Sequence, residues 1–172
     1  DMVDDKDLDN VGLSWSGYAD YKDMWTVDVF DIFNDSYGVK KNNISKEYIE
    51  SSEKLKSTNR DNIIGIQSQI WSETIRNENI LDYMFMPNII VFSQKAWSKD
   101  PKWMSIQDKT KREITLNYEW SKLTNTIGQR VLPIIENIFG GLSYDLPKPG
   151  GVIKNDSLYA NSAFPGLNIK YT

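Results

Sequence analysis

DNIIGIQSQIWSE, residues 61–73, is the stretch of the chain that indicates its fold. Apolar residues fall on one face of an alternation that a serine interrupts once: Ile64, Ile66, Ser68 and Ile70. The other face carries glycine, amides, an indole and a carboxylate: Gly65, Gln67, Gln69, Trp71 and Glu73. A period of two with one apolar face predicts a β strand over residues 63–71. The mixed face suits a barrel strand whose inner side ends in a polar pocket, with Trp71 and Glu73 together at its carboxyl end.

Several further motifs follow this strand in a fixed order. After GIQSQIWSE (65–73) come LDYMFMP (81–87) and a helical pattern that ends in AW (96–97). Farther on come NYEWSKLTNTIGQRVLPIIE (117–136), YDLPKPG (144–150) and NSAFPGLNIKYT (161–172). This succession resembles the β-N-acetylhexosaminidases of glycoside hydrolase family 20. It matches the last strand and helix of their catalytic barrel, the closing helices and the exit into a small β domain. The resemblance covers residues 63–172 and extends weakly over residues 1–60.

The resemblance implies an α/β fold, namely the C-terminal portion of a (β/α)8 TIM barrel followed by the start of a small β domain. A complete barrel takes about 250 residues, so we expect a chain of 172 residues to be a fragment of one. We expect residues 1–142 to belong to the barrel, with residues 35–60 as a loop or insertion. Residues 143–151 would be a linker, and residues 152–172 would begin the β domain.

Helical patterns occupy much of the chain after residue 78. We predict helices over residues 79–86 and from Pro87 to about Trp97, because proline suits the first turn of a helix. A longer helix is predicted from about Lys111 to Gly140-Gly141, with Pro133 as a kink or a break. Its expected apolar stripe contains Ile114, Tyr118, Ile127, Val131, Ile134, Ile135 and Ile138. Turn signals at Asn155-Asp156 predict short strands on either side.

Composition excludes several classes of function. The net charge is −4 and the lysines and arginines are scattered, so nothing indicates a nucleic-acid partner. No run of eighteen apolar residues is present, and we therefore expect no transmembrane segment. The chain has no cysteine and no histidine, which excludes disulfides and thiol catalysis and removes the commonest metal ligand. We expect neither a cofactor nor a metal site.

Trp71 and Glu73 are the leading candidates for substrate binding. An indole face can pack on the axial C–H bonds of a pyranose, and a carboxylate can accept hydrogen bonds from two adjacent hydroxyls. The resemblance places both residues in the subsite for a terminal N-acetylhexosamine, where the glutamate binds sugar hydroxyls. The alternatives are that Trp71 closes one end of the core and that Glu73 caps the next helix.

Trp25 and Asp9 are further candidates that rest on the resemblance. Trp25 matches an aromatic residue that lines the pocket or the neighbouring subsite, although it could equally be a core residue. Leu8-Asp9 resembles the Tyr-Leu-Asp of the family, but Asp7 stands where the family has the tyrosine that contacts the substrate acetamide. Gln94 stands where the family usually has glutamate, at a position that belongs to helix packing.

The resemblance also implies a mechanism. Its members use the 2-acetamido oxygen of the substrate as nucleophile, an exception to the scheme with two catalytic carboxylates. An adjacent Asp-Glu pair orients the acetamide and protonates the leaving oxygen, and we expect this pair upstream of Asp1. The one adjacent acid pair here, Asp4-Asp5, lies in a polar run typical of a solvated turn. We therefore expect no catalytic residue in this chain.

Three interpretations remain open from the sequence. In the first, the parent protein hydrolyses terminal β-linked GlcNAc or GalNAc from glycoconjugates or chitooligosaccharides, and this chain packs against the remainder of the barrel. In the second, a non-catalytic carbohydrate-binding or structural module derives from such a barrel. In the third, the chain is an unrelated helical and β interaction domain. The first would place the protein outside the cell, in the periplasm or in lysosomes, by analogy with the family.

Overall fold

The computed structural model describes residues 21–31, 45–138, 140–146, 148–162, 164 and 167–170. Its helical elements are, in chain order, α1 (Tyr21–Thr26), α2 (Lys46–Ser51), a first 3-10 helix (Ser57–Asn62), α3 (Glu78–Phe85), α4 (Asn88–Trp97), a second 3-10 helix (Lys102–Ser105), α5 (Lys109–Thr126), a π-helical segment (Ile127–Val131) and α6 (Leu132–Ile135). Two strands follow, β1 (Gly150–Lys154) and β2 (Ser157–Asn161). The described residues are thus mainly helical, with one two-stranded sheet.

Local capping residues fix where the helices begin. The Asn77 side chain accepts a hydrogen bond from the Ile80 N–H at 2.9 Å, and Asp108 accepts one from the Lys111 N–H at 2.8 Å. Such caps satisfy N–H groups that have no partner in the first helical turn. Helices α3 and α4 lie within one residue of the helices predicted over residues 79–86 and 87–97. Within the described ranges, no helix is long and apolar enough to span a membrane.

A π-helical turn interrupts the α-helical hydrogen bonding of the long C-terminal helix just before Pro133, the position at which the sequence predicts a kink or a break. The N–H of Leu132, just before the proline, bonds to the Ile127 carbonyl, five residues back. This π-helical turn lies between α5 and α6, and α6 ends at Ile135. A proline inside a helix removes a hydrogen bond and crowds the preceding turn, so the helical path changes there. The expectation that the helix continues to Gly140-Gly141 is wrong. These glycines instead have φ angles of +86° and +92°, in a turn that Gly141 closes on Ile138.

The apolar core differs from the stripe predicted for the long helix. Its buried members form one cluster: Trp25, Val91, Trp103, Leu116, Trp120, Ile127, Leu132, Ile135 and Phe164. Ile114 and Tyr118 are 64% and 70% exposed, so placing them in the core was wrong. Leu116 and Trp120 are buried instead. They lie about 200° around the helix from Ile114 and Tyr118, on the face that meets the other aromatic residues.

Aromatic rings connect elements that are distant in the sequence. The Trp25 ring centroid lies 5.9 Å from that of Trp103 and 5.6 Å from that of Trp120. Phe164, beyond the hairpin, lies 6.2 Å from Trp120 and 5.0 Å from Tyr21. These separations are typical of favourable aromatic pairs. The core therefore joins α1, the second 3-10 helix, α5 and the segment after β2.

The predicted C-terminal strands form an antiparallel hairpin. Its register pairs Gly150 with Asn161 and Lys154 with Ser157. Asn155 and Asp156 have φ angles of +50° and +56°, the left-handed conformation that a two-residue hairpin turn requires. Apart from Gly150, every residue of the two strands is exposed. The hairpin therefore extends away from the core, although Phe164 just beyond it is fully buried.

The strand predicted over residues 63–71 is not formed in the part of the chain that the structure describes. Residues 63–72 take part in no helix and no ladder there. Alternation sets which side chains share a face, but a strand also needs hydrogen-bonded neighbours. In this structure the segment has the side-chain pattern of a strand without the backbone partners.

We predict that truncating the buried face of α5 destabilises the protein much more than truncating its exposed face. Leu116→Ala should lower the free energy of unfolding by about 2–5 kcal/mol, since it leaves a cavity beside the aromatic cluster. Ile114→Ala, two residues away on the exposed face, should change it by about 0.5 kcal/mol or less. Urea titrations of the two variants and the parent measure this. Equal losses would contradict the assignment of the faces.

Tyr144 gives a second prediction, on the dependence of stability on pH. Its hydroxyl donates a hydrogen bond to Glu136. Burial first, and then the bond to Glu136 and its charge, raise the pKa of Tyr144 to about 12. A raised pKa stabilises the fold below pH 10, and this stabilisation is lost as the pH rises towards about 12.

Tyr144→Phe should therefore be less stable than the parent below pH 10, and the difference should vanish by about pH 12. We expect about 1 kcal/mol or less, because water screens this partly exposed pair. Tyr118→Phe, which removes an exposed phenol, is the control. Urea titrations at several pH values compare the two variants. A Tyr144→Phe difference that stays constant from pH 9 to 12 would refute the assignment.

Candidate functional site

Residues 63–73 run between two helical elements. The first 3-10 helix ends at Asn62, and the N–H of the next residue, Ile63, bonds to the Arg60 carbonyl at 3.0 Å. At the other end, a turn closes when the Ile75 N–H bonds to the Ser72 carbonyl at 3.1 Å. Helix α3 begins shortly afterwards, behind its Asn77 cap. The Ser72–Ile75 turn therefore marks the point where the segment leads into α3.

Trp71 and Glu73 lie at this turn and both are exposed. Trp71 leaves 59% of its surface accessible, and Glu73 is also classed among the exposed residues. The next residue, Thr74, is only 8% exposed and anchors the turn. An exposed indole and an exposed carboxylate two residues apart offer an apolar surface together with a strong hydrogen-bond acceptor. Such a pair can bind a ligand that is apolar on one side and rich in hydroxyls at its edge.

The isoleucine face of the segment is partly uncovered. Ile64 is 99% exposed and Ile70 is 37% exposed, whereas Ile66 is half-buried. In the described part of the chain, no sheet neighbour covers these side chains. The alternation predicts an apolar face and a polar face for this segment. Both faces stay a prediction, because they need neighbouring strands to pair with it.

An open cleft of about 210 Å³ lies beside the start of this segment. Its walls include Phe30, Ile63, Ile64, Lys95 and Met104. Burial lowers the pKa of Lys95, and the carboxylates of Asp100 and Asp28 partly offset this effect. The Lys95 ammonium lies 3.8 Å from the Met104 sulfur. Polar residues, namely Lys95, Ser98 and Asp100, line the cleft together with the apolar ones, and neither Trp71 nor Glu73 is among its lining residues.

Trp25 lies in the core, away from the surface where Trp71 and Glu73 are found. Its side chain is 2% exposed, and its indole N–H donates to the Gln94 amide oxygen at 2.5 Å. The Gln94 amide nitrogen in turn donates to the Ser98 hydroxyl at 3.1 Å. The structure therefore favours the core alternative for Trp25, and it agrees with a packing role for Gln94. A sugar could not reach this indole in the arrangement observed.

The remaining candidates lie outside the described residues. Asp9 and the neighbouring Asp7-Leu8 belong to the first twenty residues, as does Asp4-Asp5. Within the ranges that the structure does describe, no group of three or more acidic, histidine or cysteine side chains could hold a metal ion. Among the described residues, Trp71 and Glu73 are the candidates that lie at the surface, and Asp9 stays a prediction.

One arrangement of polar groups was not predicted from the sequence. The Asp145 carboxylate accepts hydrogen bonds from the phenols of Tyr21 and Tyr83. In the sequence Asp145 is one acid within YDLPKPG, and nothing local indicates partners in α1 and α3. The tyrosines are equally ordinary members of their helices. A contact between residues so far apart has no local sequence signal.

Comparison with known proteins gives the chain a family. A model described as the catalytic domain of glycosyl hydrolase family 20 matches residues 1–100. A model described as the chitobiase/beta-hexosaminidase C-terminal domain matches residues 138–172. The first match includes residues 1–60, over which the resemblance of the sequence was weak. The matches exclude the interpretation as an unrelated interaction domain.

Two curated proteins are similar to this chain. It is 31% identical over 117 residues to N,N'-diacetylchitobiase from Vibrio harveyi, an alignment that covers 63% of this chain and 13% of that protein. It is 28% identical over 129 residues to beta-hexosaminidase from Vibrio vulnificus, covering 63% of this chain and 14% of that protein. The chain thus spans only a small part of either relative. Because the catalytic-domain model matches more than half of its 172 residues, the chain belongs to glycosyl hydrolase family 20.

Proposed function

We propose that the whole protein is a β-N-acetylhexosaminidase, which removes terminal β-linked GlcNAc or GalNAc from glycans or chitooligosaccharides. The observation that carries this proposal is the exposed pair Trp71 and Glu73 at the Ser72–Ile75 turn, in a chain of family 20. The names of the two relatives, a diacetylchitobiase and a beta-hexosaminidase, support the same substrate class. This chain would supply part of the pocket for the terminal sugar.

The Trp71 and Glu73 side chains would each contact a different part of the sugar. The Trp71 indole would pack on the apolar face of the pyranose, where C–H groups line the ring. The Glu73 carboxylate would accept hydrogen bonds from hydroxyls at the edge of the sugar. Hydrogen bonds to a charged group contribute about 1.5–3 kcal/mol each, more than those between neutral groups. Together they would hold the sugar in one orientation.

The chemistry would come from residues outside this chain. In the substrate-assisted reaction, the acetamide oxygen attacks the anomeric carbon while an acid protonates the leaving oxygen. Water then opens the cyclic intermediate, so the configuration at the anomeric carbon is retained. No Asp-Glu dipeptide occurs among the 172 residues. We therefore infer that the remainder of the barrel supplies this pair and that Trp71 and Glu73 position the sugar for it.

The proposal also divides the chain into two domains joined by a linker. Residues 1–142 would complete the barrel, and residues 143–151 would link it to a β domain that begins within residues 152–172. The hairpin is consistent with a β domain, although β1 already begins at Gly150. A non-catalytic module derived from such a barrel is the alternative. It would keep Trp71 and Glu73 but lack the Asp-Glu pair elsewhere in the protein.

We predict that changing either residue in the full-length protein weakens hydrolysis of an aryl N-acetyl-β-glucosaminide. Glu73→Gln should lower kcat/KM about 10- to 150-fold, which corresponds to the loss of one charge-assisted hydrogen bond. Trp71→Ala should act mainly by raising KM, because the apolar contact with the sugar exists before and during the reaction. Steady-state kinetics on purified variants measures both effects.

Matched controls come from the same region. Trp97 is 89% exposed at the end of α4, and Glu53 is exposed before the first 3-10 helix. Trp97→Ala and Glu53→Gln should leave kcat/KM within about twofold of the parent. A full-length protein that binds GlcNAc but cleaves no hexosaminide would favour the non-catalytic module. Normal kinetics in both Glu73→Gln and Trp71→Ala would remove the proposed site.

A further inference from the structure

Asp145 contacts two helices that lie far from it in the sequence. One carboxylate oxygen accepts a hydrogen bond from the Tyr21 hydroxyl at 3.0 Å, and the other accepts one from the Tyr83 hydroxyl at 2.8 Å. The Asp145 backbone N–H donates to the Met86 carbonyl at 3.0 Å. Asp145 therefore fastens the segment after α6 to α1 through Tyr21 and to the end of α3 through Tyr83 and Met86.

These contacts are suited to holding a segment in place. Hydrogen bonds to an ionised carboxylate are shorter and about twice as strong as those between neutral groups. The side chain is half-buried, so water competes less for its oxygens than at an exposed site. The two prolines in the LPKP sequence that follows predict a stiff, extended backbone before β1. Fixing Asp145 therefore fixes the start of the path to the hairpin.

The helix that Asp145 contacts, α3, follows the candidate sugar site in the sequence. Helix α3 begins five residues after Glu73, and Tyr83 and Met86 lie at its other end. We propose that Asp145 is a positioning residue, which docks the linker on α1 and α3 and so fixes the helix that follows the Ser72–Ile75 turn. The claim that Asp145 docks the linker depends only on the observed contacts. The claim that it positions the sugar site rests on the proposed function.

The test compares Asp145→Ala, Asp145→Asn and Tyr83→Phe with the parent, all in the full-length protein. Hydrogen exchange measured by mass spectrometry on peptides covering residues 82–87 and 142–146 reports docking without reference to activity. We expect Asp145→Ala to speed exchange in both peptides at least about threefold. Asp145→Asn keeps one carbonyl acceptor and should lie between Asp145→Ala and the parent. Tyr83→Phe keeps the test usable if Asp145→Ala fails to fold.

Kinetics on the aryl N-acetyl-β-glucosaminide tests positioning. Asp145→Ala should raise KM about three- to tenfold with kcat within about twofold, and Asp145→Asn should partly restore KM. Tyr118→Phe, which removes an exposed phenol from α5, is the control and should change neither exchange nor KM. Unchanged exchange in both Asp145→Ala and Tyr83→Phe would overturn docking. Faster exchange with an unchanged KM would overturn positioning.

The two proposals can fail separately. If the parent cleaves no hexosaminide, the proposed function fails and positioning fails with it, whereas the exchange rates still decide docking. If the parent is active and Asp145→Ala matches it in both exchange and KM, the proposed function stands and this inference falls.

Discussion

The burial of the Trp25 indole is the interaction on which the described fold depends. Helix α1 has six residues, too few to be stable in water without tertiary contacts. It is held because Trp25 packs between Trp103 and Trp120 and donates its N–H to Gln94. An indole buries about 150–250 Å² of surface, so a single residue can dock a short helix. The aromatic cluster thereby packs α1 against α4 and α5.

The contrast between Trp25 and Trp71 shows how environment separates two roles of one residue type. The family resemblance gives each tryptophan a reason to line a sugar pocket, and for Trp71 the strand alternation adds a second one. Burial in the structure differs, with 2% of Trp25 exposed against 59% of Trp71. A buried indole with its N–H satisfied by an amide stabilises a core, whereas an exposed indole is accessible to a ligand over part of its surface. In the described structure Trp25 therefore fits the core alternative, and Trp71 remains the candidate for binding.

Features that depend on residues close together in the sequence could be predicted, whereas features that depend on distant residues could not. Helices α3 and α4 and the hairpin turn at Asn155-Asp156 depend on caps, prolines and backbone conformations within a few residues, so local patterns located them. The buried face of α5 depends on Trp25 and Phe164, which lie far away in the sequence, and the periodicity pointed to Ile114 instead of Leu116. For the candidate site, local alternation proposed Trp71 and Glu73, and the structure shows only that both are exposed. The burial of Trp25 and the partners of Asp145 were not accessible in this way.

The exposed isoleucines suggest how the affinity for a sugar would depend on strand pairing. Ile64 and Ile70 are exposed, and residues 63–72 lack ladder hydrogen bonds among the described residues. Exposed apolar side chains and unpaired backbone groups both cost free energy that neighbouring strands and helices would recover. Pairing would also fix the register, and a shift of one residue would move Trp71 and Glu73 to the opposite face. If this chain completes a barrel as proposed, we expect that the orientation of Trp71 and Glu73, and with it the affinity for a sugar, is set when neighbouring strands pair with this segment.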